Sequence, residues 1–169
     1  MLAQTEAQVR RLLFPQQAGG ASPGAAADAP PLGRVRATRL PLWADRLASA
    51  WLVRRFIDPE AVLRWLDKGE PCPAEAIGFT FDGARFANSA ARVTFEELLV
   101  HFGLEKNAAL ARIGAIVHFL EVKGAEVPEA AGVQTLLQGA QRRARTSDQF
   151  LAEAEKTFDL LYEAFDSKA

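Results

Sequence analysis

The sequence predicts an α+β fold that is predominantly helical, with about five helices packed against a small two- or three-stranded antiparallel sheet or hairpin. Three observations lead there. Phe150, Leu151, Ala154, Phe158, Leu161, Tyr162 and Phe165 recur at helical spacing near the end of the chain, the pattern of an amphipathic helix. The stretch from Trp43 to Asp58 is apolar on nearly every side, which marks a central, buried helix rather than a surface one. Residues 37–42 and 76–87 instead read as extended, and Asp82-Gly83 gives the second segment a hairpin turn signal.

Taken in order, residues 1–14 suit one short amphipathic helix with Val9, Leu12, Leu13 and Phe14 on its apolar side, marginal alone at that length. Residues 16–33 mix Gly, Ala and Pro with too few large apolar groups to offset the entropy of ordering. Residues 1–33 are therefore read as a flexible leader and linker, and residues 36–166 as the folded domain. Residues 37–42 are expected as an edge strand. Asp58-Pro59 stops the helix that begins at Trp43, and residues 60–68 favour a strand over a helical turn. Thr94-x-x-Glu97 reads as a capping box opening a helix that Gly103 ends. Asn107 caps the next helix, which runs to about Val122. Pro128 fits the first turn of another, ending near Ala140, and Thr146-x-x-Gln149 opens the last.

Composition narrows the function classes. A chain of 169 residues, 49% apolar, suggests one domain with a real core. A net charge of −1 lacks the basic excess of a free-standing nucleic-acid binder, so direct nucleic-acid binding is not expected. No apolar run approaches a bilayer span, and Arg10 and Arg11 interrupt the only candidate signal segment. A cytoplasmic protein is expected. Cys72 is the single cysteine, so neither an internal disulfide nor a paired-thiol site is available. His101 and His118 are the only histidines, so any metal site must rely on carboxylates.

Two constellations stand out. Asp45, Arg46, Arg54 and Arg55 sit on or at the ends of an otherwise apolar helix, with Arg54 on the side of Trp51 and Asp58. A charge on a buried helix must be paired or must line a cavity. Arginines facing a cavity suit an oxyanion, because the guanidinium fork matches such ligands. The plainer alternative is that Asp45 caps the first turn while Arg54 and Arg55 complement the C-terminus and pair with internal carboxylates. His118 and Glu121 lie three apart on one helix and form half of a metal site, with a divalent metal ion as the only cofactor they suggest. The alternative is an internal His/Glu/Arg network. His101, Cys72 and the Arg142, Arg143, Arg145 cluster read as ordinary surface groups. No phosphate-binding glycine loop, nucleophile triad or paired-cysteine motif is present.

The string Asp-Arg-Leu-Ala-Ser-Ala-Trp-Leu-Val-Arg-Arg-Phe-Ile-Asp-Pro-Glu at residues 45–60 resembles the signature of the C-terminal domain of the chromate resistance protein ChrB family. Residues 92–103, 113–121 and 129–132 resemble further family segments in the same order, so the likeness covers roughly residues 36–166. It implies a role in chromate resistance as a regulator, sensor or accessory protein, with an oxyanion such as chromate, a regulatory protein or a second copy of the chain as partner. It brings no established reaction. The family pattern often carries cysteines where this chain has Ser49 or Ala50 and Val93, a histidine in the region of Ala87, Asn88 and Ser89, and an acid where it has Phe119. The favoured expectation is a non-enzymatic sensor or accessory protein using Arg46, Arg54 and Arg55 for an anion or His118 and Glu121 for a metal. The alternatives are an interaction module with a decayed site and a metal-dependent enzyme.

Overall fold

Residues Val35–Arg39 form strand β1, with a buried centre at Arg36, Ala37 and Thr38. The computed structural model describes residues 32–167, and in it β1 is the middle of a three-stranded sheet ordered β2-β1-β3. β2 is Val62–Leu66 and β3 is Ile77–Gly78. Both pairings are parallel: Val35 lies opposite Val62 and Arg39 opposite Leu66, while Arg36 and Ala37 face Ile77 and Gly78.

Two expectations are corrected here. The segment expected at an edge is the central strand, and the sheet is parallel, not antiparallel. The cause is the connection. A helix separates β1 from β2, and such a crossover returns the chain in its original direction. The hairpin expected over residues 76–87 also does not form. Gly83 does turn the chain with φ +84°, but Thr80 leaves the extended region with φ +58°. The returning segment then makes only an isolated, parallel bridge between Phe79 and Phe86.

The crossover helix is α1, Ala44–Leu52, which continues as a π-helical turn over Val53–Ile57. Asp58 N closes that turn by donating to the Val53 carbonyl at 2.6 Å. As its composition requires, α1 is buried almost all round. It packs on α2 (Thr94–His101), α3 (Ala108–Val122) and α5 (Ser147–Phe165), while α4 (Ala130–Arg143) packs on α3 and α5. Trp51 is the hub. It stacks on Phe95 with ring centroids 6.4 Å apart and meets Phe158 at 5.6 Å and Phe56 at 5.7 Å. No helix among the described residues is long and apolar enough to cross a membrane.

Helix caps follow the sequence where they are local. Asn107 Oδ1 accepts from Leu110 N at 3.0 Å, and Thr146 Oγ1 accepts from Gln149 N at 3.1 Å. The box expected at Thr94 and Glu97 does not form: Val93 is the N-cap and has no side-chain acceptor, and only the reciprocal half is made, Glu96 Oε1 accepting from Val93 N at 3.1 Å. The difference arises because Thr94 N and Phe95 N are taken by acceptors from elsewhere in the fold. Residues 1–31, including the short helix expected over 1–14, lie outside the described residues. Where the described chain begins, Gly33 N and Arg34 N donate to Asp58 at 2.9 and 3.0 Å.

Arg36 is only 1% exposed, and its Nε and Nη2 have no hydrogen-bond partner. Burial lowers its pKa, partly offset by Asp58. A buried cation so poorly satisfied contributes little stability. Arg36→Met is therefore expected to leave urea-unfolding stability unchanged or to raise it by about 1–2 kcal/mol. A loss of more than about 2 kcal/mol would show that the guanidinium has a strong partner.

Candidate functional site

Asp45 lies in the first turn of α1 and is 1% exposed. Its Oδ1 accepts from Phe95 N at 2.9 Å and from Ser49 Oγ at 3.3 Å, and its Oδ2 accepts from Thr94 N at 3.1 Å. A carboxylate from α1 thus caps the N-terminus of α2, where the exposed N–H groups and the helix dipole favour negative charge. Asn88 Oδ1 completes the cap, accepting from Thr94 N and Thr94 Oγ1, each at 2.8 Å.

The N-terminus of α1 is capped in the same way. Asp45 N donates to Glu121 Oε1 at 2.8 Å, across from the end of α3. One turn earlier, His118 Nδ1 lies 2.6 Å from Glu96 Oε1. Burial is the main reason that the Asp45 carboxyl is pushed up to about 6; Glu121 adds to the rise, while the N–H donors of Phe95 and Thr94 oppose it.

Beside this relay lies a pocket of about 550 Å³, into which α1, α3, β1 and the loop after β3 each send polar groups. Arg46 contributes from α1. Its Nε and Nη2 donate to the Thr80 carbonyl at 3.2 and 3.0 Å, and its Nη1 donates to the Pro41 carbonyl at 2.8 Å. Three of the five guanidinium N–H groups are thereby used, leaving two. Arg39 contributes from the end of β1. Its Nη1 donates to the Glu70 and Asp67 carbonyls at 2.7 and 3.3 Å, and its guanidinium lies 4.8 Å from the Phe81 ring centroid. Asn88 and Glu121 line the same space, and Asp82 lines it from an exposed position. The left-handed backbone of Thr80, costly for a β-branched residue, aims the carbonyl that holds Arg46. The Thr80 hydroxyl is buried without a partner in the same wall.

The structure divides the residues singled out by sequence. Asp45, Arg46, His118 and Glu121 gather at the start of α1. Arg54, Arg55 and Trp51 lie at its other end, against α5. Arg54 Nη1 is 3.7 Å from Glu155, Arg55 reaches Asp159 at 2.6 Å and Glu163 at 3.0 Å, and Trp51 Nε1 donates to Asp159 at 2.8 Å. Burial alone would lower the Arg55 pKa, but its two carboxylate partners raise it. Asp58 binds three backbone N–H groups, of Gly33, Arg34 and Glu60. Those bonds outweigh the effect of burial and hold its pKa below the usual carboxylate value. His118 and Glu121 have different partners, and no group of three His, Cys, Asp or Glu side chains among the described residues is arranged to hold a metal ion. Sequence reasoning missed Arg39, Thr80 and Glu96. Arg39 carried no distinguishing signal, because its strand Val35–Arg39 holds a second arginine and a threonine.

These contacts define a helical domain with a polar pocket at the start of its crossover helix. Residues 36–165 match the model of the family described as ChrB, C-terminal domain, and the chain belongs to that family. Over 135 residues it is 48% identical to Protein ChrB of Cupriavidus metallidurans, an overlap of 80% of this chain and 42% of that protein. The chain therefore spans less than half the length of this curated relative. No solved structure matches it.

The raised Asp45 pKa has a consequence with a definite sign. Its folded-state value of about 6 exceeds the ordinary 3.8, so the folded state binds the proton more tightly. Asp45 therefore favours folding more as pH falls through 6, an effect that is complete below the unfolded value and absent well above 6. Between pH 7.5 and pH 5 this amounts to about 1 kcal/mol. Urea unfolding of the native chain and of Asp45→Asn at the two pH values is expected to show this increment only in the native chain. An equal pH response in both would assign it to other groups.

Proposed function

We propose that this chain is a cytoplasmic accessory or sensor domain of chromate resistance, and that its pocket takes a small oxyanion between Arg39 and Arg46. The role in chromate resistance rests on its family membership. The oxyanion reading rests on one observation above others: two guanidinium groups from different elements line one pocket while bound to backbone carbonyls rather than to carboxylates. Carbonyl partners fix the orientation of each group without cancelling its charge. An anion can then bind without first breaking a salt bridge. The free N–H groups of Arg46 and the amide nitrogen of Asn88 add donors of the kind an oxyanion needs.

A second reading is supported by the far end of α1. Arg54 and Arg55 are committed to α5 carboxylates, as expected of a domain that has kept its internal pairing and serves as an interaction module. The two readings differ in what chromate does to the isolated protein.

A thermal-shift titration separates them. Ligand at a hundred times its Kd stabilises a folded protein by about 2.7 kcal/mol, or on the order of 5–10 °C for a domain of this size. A rise of that kind with chromate is expected in the native chain and in a Cys72→Ser variant, which removes thiol oxidation as a cause. It is expected to fall at least about tenfold in apparent affinity in Arg39→Gln, which loses one charge-assisted contact. No shift in a correctly folded sample would favour the interaction module.

A further inference from the structure

The pocket that holds Arg39 and Arg46 also holds a carboxylate that cannot swing away. Glu121 is anchored through Oε1, which accepts from Asp45 N at 2.8 Å at the start of α1. Its other oxygen has no hydrogen-bond partner among the described residues, and the side chain lines the pocket. Asp82 also lines it, but from an exposed position where water screens it. Glu121 is half-buried, so its charge acts on the pocket far more strongly than that of Asp82.

A carboxylate only accepts hydrogen bonds, whereas the guanidinium groups of Arg39 and Arg46 only donate them. A ligand that satisfies all three must present acceptors on one side and an O–H donor on another. We infer that Glu121 is the specificity-determining residue of this pocket, and that the site takes a tetrahedral oxyanion carrying one proton while rejecting one that carries none. The inference rests on the oxyanion reading above and goes further, to the protonation state of the ligand.

Near neutral pH every phosphate ion keeps at least one proton, part of the chromate population keeps one, and sulfate keeps none. In the protonated form the O–H of the ligand donates to Glu121, while the remaining oxygens accept from Arg39 and Arg46. The proton stays on the ligand, and no bond is made or broken beyond these contacts. Fully ionised sulfate brings two charges and no donor, so it meets Glu121 as a like charge and leaves the carboxylate unpaired. A half-buried carboxylate discriminates because the wrong ligand leaves it without a donor, and repulsion adds to the rejection.

Glu121→Gln is the informative substitution. The Gln side-chain oxygen can still accept from Asp45 N, so the cap on α1 survives, while the other position changes from acceptor to donor. Isothermal titration of sulfate, phosphate and chromate into the full chain, at fixed ionic strength and neutral pH, reads the result. The native chain is expected to bind phosphate and chromate at least about tenfold more tightly than sulfate. In Glu121→Gln sulfate affinity is expected to rise by about tenfold or more, and the preference to shrink or reverse. Arg39→Gln is expected to weaken all three anions without altering their order. Equal binding of all three anions by the native chain, or an unchanged preference in Glu121→Gln, would overturn the role of Glu121 and leave the oxyanion reading standing. Failure of the native chain to bind any of them would overturn both.

Discussion

The structure depends on one buried carboxylate. Asp45 starts the central helix, yet its side chain belongs to another helix: it accepts from the first two N–H groups of α2, at Thr94 and Phe95. Without Asp45 the Phe95 N–H would be stranded, since Phe95 is fully buried against Trp51, while Thr94 N would keep only Asn88; an unpaired buried polar group costs about 1–3 kcal/mol. Asp45 therefore sets where α2 starts and how it lies against α1. The cost is a carboxylate removed from water, visible in its raised pKa.

The same device repeats one step outward. Glu121 takes the N-terminus of α1 as Asp45 takes that of α2, so α3, α1 and α2 are joined end to end through carboxylates on helix dipoles. Glu96 extends the chain to His118, returning it to α3. Negative charge is thereby concentrated at the start of α1, and Arg46 and Arg39 stand beside it. The pocket is thus mixed in charge. Discrimination between ligands then rests on donor and acceptor placement, and a site of simple positive charge would offer no such choice. At the other end of α1 the arginines face the acids of α5 directly, pairing with Glu155, Asp159 and Glu163.

Much of this architecture was legible because it is local. Asn107 and Thr146 cap their helices through residues three positions away, and the nearly all-round apolar character of α1 announced its central position. The contacts that build the pocket are not local. Asp45 meets Glu121 across 76 residues and Phe95 across 50, so periodicity in one helix carries no trace of them. Strand direction was equally hidden. β3 is only two residues long, and the Asp82-Gly83 turn is real but feeds a loop. Arg46 could be singled out as a charge on an apolar helix, and so could Arg54 and Arg55. What sequence could not show is that α1 directs them to opposite ends, one into the pocket beside Glu121 and two against α5, where they line a second cavity with the acids of that helix.

The most direct test of the account is a crystal structure of the full chain grown with chromate, located by the anomalous scattering of chromium. The expected result is an anion in the pocket at the start of α1, within about 3.2 Å of guanidinium nitrogens from both Arg39 and Arg46, with one oxygen turned to Glu121. A chromium peak against Arg54 and Arg55 at the α5 surface, with this pocket holding only water, would contradict it.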